Sequence, residues 1–292
     1  MAPITIDNDG VPLLVFEPEA EYRSHNGRVG YWGPVRSSID WCEYNYAVSF
    51  YVAEWFNFFS NALFVALGLW GAWMARRHGL EYRFVLCYLN VAIVGIGSAA
   101  FHGTLTHVGQ QGDETPMVLS AAQWLLTVWF LDPVYERAQR QHAVSHTTCS
   151  CIAAMFCAVF AVVHYVYRFT IGFQLLFAAM LTASFPVYVS HLKRCSSPAV
   201  LRLGRTYYVV SIAVALALWL CDQHFCVHLH TLPFGVHNPQ WHAWWHGLMG
   251  VHTYIGPTFI AYQRLEYLGR RPKIRYAFWG LVPFAAPAPW AE

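Results

Sequence analysis

Seven long apolar runs divide the chain, and each is close to the length that a helix needs to cross a bilayer, about 20 residues. The runs cover Trp55–Ala75, Phe84–Gly103, Pro116–Leu131, Thr147–Tyr167, Ile171–Ser190, Thr206–Phe225 and Ala243–Tyr262. Only 12% of the 292 residues are charged, which is about half the share found in soluble domains. The sequence therefore predicts an all-α integral membrane protein, a seven-transmembrane helix bundle.

The remaining sequence is short and forms no large soluble domain. We expect an N-terminal arm over residues 1–36, the seven-transmembrane domain over residues 37–263 and a C-terminal tail over residues 264–292. The first 50 residues are polar and lack a basic start followed by an apolar run, so no cleavable signal peptide is predicted.

Positive charge is distributed unevenly between the two sets of linkers. One set and the C-terminal segment hold 14 of the 18 Lys and Arg residues, namely Arg76, Arg77, Arg83, Arg137, Arg140, Lys193, Arg194, Arg202, Arg205, Arg264, Arg270, Arg271, Lys273 and Arg275. The other set holds Arg23, Arg28, Arg36 and Arg168. Since cytoplasmic loops carry the excess of positive charge, we expect a cytoplasmic C-terminus and a lumenal N-terminus. The net charge of +2 then reflects topology and gives no indication of a nucleic-acid partner.

Polar and ionisable residues collect at one end of the predicted helices. Such groups are costly inside a membrane and usually functional. They come from five helix ends and comprise Asp40, Glu43, Asn45, Glu54, Ser98, His102, Asp113, Glu114, Asp222, His224, His242 and His246. By the predicted topology, this end is lumenal, and the cytoplasmic ends carry no comparable set.

Three histidines in this set have the pattern of a catalytic zinc site. His242 and His246 are one helical turn apart, so both rings can lie on one face, and His102 supplies a third nitrogen from another helix. Three histidines with one open position are typical of catalytic zinc, which activates water and polarises a carbonyl. Asp113 is then the candidate base, and Ser98 either contacts a substrate oxygen or is a small helix-packing residue. By themselves, two histidines at this spacing are also compatible with core packing or an aromatic belt.

The segment "DWCEYN" forms a second, acidic cluster. Asp40, Glu43 and Asn45 lie within six residues, and Glu54 follows nearby. Oxygen ligands of this kind suit calcium, although the spacing is not that of an EF-hand. The alternative is a helix cap at Asp40 with solvated acids. Glu54 argues against that alternative, because it enters an apolar run and needs a partner.

Two of the eight cysteines, Cys42 and Cys226, fall on the predicted lumenal side, where a disulfide persists. Compartment alone leaves open whether they pair. Cys195 is expected to be cytoplasmic and reduced.

These residues together resemble the alkaline ceramidases, a family of seven-span membrane hydrolases related to the adiponectin receptors. The matching stretches are "GYWGPVRSSIDWCEYNYAVSFYVAEWFNFFSN", "GSAAFHGTLTH" followed by "DETPM", "LWLCDQHFC" and "WHAWWHGLMG". They follow the family's order from Gly30 to near Arg275.

The resemblance implies intramembrane zinc on His102, His242 and His246, with Ser98 and Asp113 as catalytic residues. It also implies a supporting calcium ion on Asp40, the Trp41 carbonyl, Glu43, Asn45 and Glu54, and a Cys42–Cys226 disulfide. The implied activity is hydrolysis of ceramide amides in the endoplasmic reticulum or Golgi membrane, with the lipid entering from the bilayer and no obligate protein partner.

Two other functions fit the same scaffold. It could serve as a lipid-binding receptor with structural zinc, or as a reverse ceramide synthase that transfers an acyl group. A transporter is disfavoured because the polar residues stop at one membrane face. A retinal protein is disfavoured because Lys193 and Lys273, the two lysines, are not in the middle of a span.

Overall fold

The structure is a computed structural model that describes residues 5–6, 12–13, 28–131, 146–230, 232–233 and 237–288. Most of the predicted N-terminal arm lies outside these ranges. So do Arg23, Arg137 and Arg140, three of the charges used above for orientation.

Helices dominate the described chain. We number them α1 (Trp55–Ser60), α2 (Ala62–Arg77), α3 (Tyr82–Thr104), α4 (His107–Trp129), α5 (His146–Tyr167), α6 (Thr170–Arg194), α7 (Pro198–Arg202), α8 (Val209–His224), α9 (Cys226–His230) and α10 (Trp241–Tyr267). A π-helical turn, Leu203–Tyr208, joins α7 to α8. Two short antiparallel pairs complete the fold, β1 (Thr5–Ile6) with β2 (Pro12–Leu13) and β3 (Lys273–Ala277) with β4 (Val282–Ala286).

Within the described residues, five helical segments are long and apolar enough to cross a membrane, which indicates a membrane protein. They are Trp55–Arg77, Tyr82–Thr104, Thr147–Tyr167, Thr170–Arg194 and Pro198–His224. The other two predicted spans correspond to α4 and α10, which are 23 and 27 residues long but are not among the five. The number of seven spans therefore remains a prediction.

Helix α10 lies inside the bundle, and this position explains its polar composition. Every residue from Tyr254 to Leu265 is buried, and the helix contacts α1, α2, α3, α8 and β4. A helix covered by protein does not need an apolar surface toward lipid. Its polar residues, such as Thr258 and Gln263, therefore lower its hydropathy without exposing polar groups to the bilayer.

Helix α4 begins earlier than the apolar run predicted. The run was expected to start at Pro116, but the helix begins at His107 and includes Pro116 in its interior. The hydroxyl of Thr106 caps the helix by accepting a hydrogen bond from the Gly109 N–H at 3.1 Å. The polar first two turns are helical because groups such as Gln110 and Glu114 are buried among protein partners.

The backbones of helices α3 and α4 approach each other closely next to Ser98 and Asp113. Gly97 faces the Gly112 carbonyl so closely that an added Cβ would lie 1.8 Å from that oxygen. Only glycine allows such a backbone approach. The contact holds Ser98 of α3 beside Asp113 of α4, since each is the next residue in its helix.

Candidate active site

His102, His242 and His246 come together at one end of the bundle. His102 lies in the last turn of α3, and the other two lie in the first two turns of α10. All three are buried. One ring nitrogen from each lies within 4.8 Å of the others, a separation that suits ligands of a single ion. The structure thus brings together the three histidines that the sequence analysis proposed as zinc ligands.

The hydrogen bonds around His246 determine which of its two ring nitrogens carries no proton. The Ser60 hydroxyl donates its hydrogen to the Asn57 carbonyl at 2.8 Å. It can therefore only accept from the His246 Nδ1, which lies 2.7 Å away. This contact assigns the proton to Nδ1 and leaves Nε2 with a lone pair. The Nε2 atom is 3.5 Å from the Ser98 hydroxyl.

His102 is oriented by a carboxylate. Its Nδ1 contacts Glu54 Oε2 directly. When Glu54 is ionised, Nδ1 donates to it and the lone pair is on Nε2. That Nε2 is buried and has no hydrogen-bond partner, and the same holds for Nδ1 of His242. A buried unpaired nitrogen is unfavourable, and a metal ion would satisfy it. A carboxylate behind a ligating histidine is also the usual support of a zinc site, so the donor set fits zinc.

Ser98 and Asp113 lie beside the three histidines. Ser98 follows Gly97 in α3 and Asp113 follows Gly112 in α4, so the close contact of these two glycines brings both residues to the same place. Both side chains line a cavity of about 490 Å³ that also reaches His242 and His246. The cavity therefore contains a metal-binding face, a carboxyl and a hydroxyl at one end.

The rest of this cavity is mainly apolar and aromatic. It runs between α4, α6, α8 and α10, and its walls include Phe64, Met117, Phe177, Phe185, Ile212, Trp219 and Trp245. Such a lining suits a hydrocarbon chain. The arrangement combines a polar reaction site with a space for a lipid tail.

The five residues proposed for calcium are all buried, and they lie in the segment that precedes α1 and at its start. The Glu43 carboxylate accepts hydrogen bonds from the N–H groups of Phe56 (2.8 Å) and Asn57 (2.9 Å) at the start of α1. The Asn45 amide donates to both carboxylate oxygens of Asp40, at 3.2 and 3.0 Å, while its own Oδ1 is buried without a partner.

Crowding of the carboxylates changes their proton affinity. Burial, together with the neighbouring Glu54, raises the pKa of Glu43 to about 8. Burial likewise raises the pKa of Glu54 to about 8. A bound cation would offset both effects. These acids do not converge as closely as the histidines, because the described residues contain only two tight groups of three ligand atoms, the histidine triad and Cys42–Cys226–His230.

Cys42 and Cys226 form a disulfide in the structure, with Cα atoms 5.3 Å apart. Asp222 lies directly beside it. One oxygen of Asp222 accepts from the Cys42 N–H at 3.2 Å, and the other accepts from the His242 N–H at 3.3 Å. The carboxylate thus connects the disulfide with the first turn of α10, which carries two of the histidines.

Two sets of residues near the site were missed from the sequence. Asn57 contacts Glu54, and Ser60 contacts His246. The available signal was a turn of polar residues within an apolar run, namely Asn57, Ser60 and Asn61. The second set is His164 of α5, whose side chain is buried and contacts Glu114 of α4 directly. A single histidine near the end of an apolar run was its signal.

Two other histidines have defined partners. His252 stacks on Tyr208 and donates to its carbonyl at 2.9 Å. His107 is the first residue of α4, and its Nε2 donates to the Tyr165 carbonyl at 2.8 Å.

Comparison with known proteins gives a consistent result. A family model described as "Ceramidase" matches residues 33–289. The chain is 34% identical to an alkaline ceramidase of Arabidopsis thaliana, over 89% of this chain and 96% of the relative. It is 31% identical to alkaline ceramidase 3 of Mus musculus (88% and 96% coverage) and 28% identical to an alkaline ceramidase of Saccharomyces cerevisiae (87% and 85%). The chain therefore belongs to the ceramidase family.

Proposed function

We propose that this protein hydrolyses the amide bond of ceramides, giving a sphingoid base and a free fatty acid, with zinc as catalyst and calcium as support. The observation that carries the proposal is the group formed by His102, His242 and His246 beside a mainly apolar cavity. Two of these histidines, His242 and His246, line that cavity together with Ser98 and Asp113. Membership of the ceramidase family supports the substrate class.

Each side chain has a task in this proposal. Zinc held by the three histidines would supply a Lewis acid and activate water at neutral pH. Asp113 lies where it can take a proton from water and return it to the leaving amine. Ser98 donates a hydrogen bond to the substrate carbonyl oxygen as charge develops there. Glu54 and Ser60 keep His102 and His246 in the tautomers that leave Nε2 available.

The cavity explains why a membrane lipid would be the substrate. Its apolar walls take up a hydrocarbon chain, while the amide reaches the polar end near Asp113. Lateral entry from the bilayer follows from a site that lies among membrane-length helices. We place the enzyme in the endoplasmic reticulum or Golgi membrane, with seven spans, the N-terminus in the lumen and the C-terminus in the cytoplasm.

Calcium has a structural task in this proposal. The acidic segment would fold around the ion and thereby fix Glu54, which contacts both this segment and His102. Glu54 Oε1 accepts from the Trp41 N–H at 3.1 Å, while Oε2 faces His102. Calcium would therefore act on hydrolysis through the position of a zinc ligand.

The decisive experiment compares purified variants for metal content and ceramide turnover. Asp113→Asn should keep zinc at the parent's level and lose at least about 100-fold in turnover, since a general base contributes about that much or more. His246→Ala should lose zinc and activity, whereas His228→Ala, an exposed histidine, should keep both. Parent-level turnover in Asp113→Asn would contradict the catalytic role of Asp113, whereas a parent protein that binds zinc but does not turn over ceramide would contradict the proposal and favour a lipid-binding receptor.

The reverse reaction is measured in the same preparation. Acyl transfer from free fatty acid to a sphingoid base uses the same groups, because a catalyst accelerates both directions. Synthesis exceeding hydrolysis at equal substrate concentrations would assign the protein as a reverse ceramide synthase.

A further inference from the structure

The C-terminal hairpin, defined as β3, β4 and the turn of residues 278–281, is anchored in the helix bundle. Ala285 and Ala286 of β4 are buried. The Tyr254 hydroxyl in the middle of α10 donates to the Pro283 carbonyl at 2.7 Å. The segment expected as a tail is therefore a built element of the fold, and β4 fixes where its turn is placed.

The turn presents large apolar side chains outward. Trp279 is 99% exposed and Leu281 is 77% exposed, with Phe278 half exposed. Phe278 and Trp279 have φ values of 50° and 55°, a left-handed conformation that is costly for bulky residues. Such strain persists only where the surrounding structure imposes it. The hairpin thus holds two aromatic residues outward against their backbone preference.

The depth of the turn follows from its neighbour on α2. The rings of Phe278 and Trp70 have centroids 4.6 Å apart. Trp70 precedes the end of the membrane-length segment Trp55–Arg77 by two helical turns, about 10 Å at 1.5 Å per residue. The interfacial zone of a bilayer is about 5–8 Å thick on each side. The turn is therefore level with the boundary between headgroups and acyl chains, or slightly below it.

The opposite end of the hairpin is basic. Arg270, Arg271, Lys273 and Arg275 are exposed and lie in β3 or just before it. Aromatic residues prefer the membrane interface, and basic residues near it attract anionic lipid headgroups. The hairpin is thus apolar at its turn and positively charged at its opposite end. This order matches a leaflet that contains anionic lipid, in which the acyl chains lie inside and the phosphate groups outside.

From this arrangement we infer that the C-terminal hairpin is a membrane-interface anchor. Its turn inserts among the acyl chains beside α2, and the four basic residues at its opposite end bind anionic headgroups. The inference does not depend on the hydrolytic activity.

Cysteine accessibility in lipid nanodiscs tests the position of the turn. Full-length Trp279→Cys and Lys273→Cys variants are treated with a membrane-impermeant maleimide beside the parent, whose own cysteines give the background. Thiols react as thiolates in water, so Trp279→Cys should label at least about tenfold more slowly than Lys273→Cys. Both should label fully after unfolding in detergent. Equal rates in the nanodiscs would overturn the insertion of the turn.

The dependence of stability on lipid composition tests the role of the four basic residues. Thermal unfolding of the parent is measured in nanodiscs of phosphatidylcholine alone and with phosphatidylserine added. We expect a higher midpoint with phosphatidylserine, and no such rise in the quadruple variant Arg270→Gln, Arg271→Gln, Lys273→Gln and Arg275→Gln. A rise of the same size in both proteins, or none in the parent, would overturn the assignment to anionic headgroups.

Discussion

Glu54 contacts the two candidate metal sites with different oxygens. One oxygen accepts from the backbone of the acidic segment, and the other faces His102. Glu43, in contrast, accepts hydrogen bonds from the backbone N–H groups of α1. Among the described residues, its carboxylate has no hydrogen bond to any of the three histidines. In the proposed function, Glu43 would therefore act on calcium alone, whereas Glu54 would act on both metals.

This difference gives a paired prediction. Glu43→Gln should weaken the calcium response of hydrolysis and, at saturating calcium, leave zinc affinity unchanged. Glu54→Gln should weaken the calcium response and also lower zinc affinity about 10–100-fold, the usual effect of losing a carboxylate behind a ligating histidine. Zinc retention against a graded chelator measures the second effect. Equal zinc affinity in both variants would show that Glu54 does not orient His102.

At the residue scale, the sequence indicated which residues belong to the site but not which of them are in contact. The spacing of His242 and His246 and the polarity of Glu54 were visible in the sequence. The contact of Glu54 with His102 was not, because it joins residues on separate elements and depends on the direction of each side chain. His164 was overlooked because no nearby sequence indicates that Glu114 lies opposite it.

At the scale of elements, the contact of α3 with α4 sets the geometry of the site. Gly97 and Gly112 lie at the same crossing, yet their surroundings differ. A Cβ on Gly97 would meet a backbone carbonyl at 1.8 Å, whereas a Cβ on Gly112 would have nothing within 4 Å. The two positions therefore form a matched pair for mutation.

Gly97→Ala should separate the two helices and displace Ser98 from Asp113. We expect destabilisation of about 3 kcal/mol or more, since backbone cannot yield to an added methyl group as a side chain does, together with loss of turnover. Gly112→Ala should be neutral or slightly stabilising, as alanine is the better helix former. Thermal unfolding and ceramide turnover measure both. A Gly97→Ala variant as stable and active as Gly112→Ala would refute this packing.

Element limits were predicted best where the helix is most apolar along its length. The runs Phe84–Gly103 and Thr147–Tyr167 agree closely with the segments Tyr82–Thr104 and Thr147–Tyr167, which are the most apolar of the five. The start of α4 was displaced because its first turns bury polar groups against protein. The β3–β4 hairpin was not predicted, since its strands are short and β4 contains Pro283.

At the scale of the whole molecule, the disulfide joins the segment before α1 to the region after α8. It closes a loop with a sequence separation of 184, which includes most of the helices. Asp222 then extends the connection to α10. The bond therefore constrains both ends of the domain that holds the histidines.

Cys226→Ser should lower the free energy of unfolding by about 2–5 kcal/mol, the usual effect of losing a native disulfide. Cys221→Ser, which changes a free cysteine in the neighbouring α8, serves as the control and should be close to neutral. The midpoint of thermal unfolding and mobility on a non-reducing gel report the change. An unchanged midpoint and mobility in Cys226→Ser would mean that the two thiols are not joined.

The three histidines also set an order of events during biosynthesis. His102 is in α3, but His242 and His246 are in α10, so a growing chain holds one of the three nitrogens until translation has passed residue 246. Any ion held by all three histidines would be acquired after α10 has been inserted among its neighbours. Loading of the site would then report that α3 and α10 have assembled, and a chain truncated before residue 242 would remain without the ion.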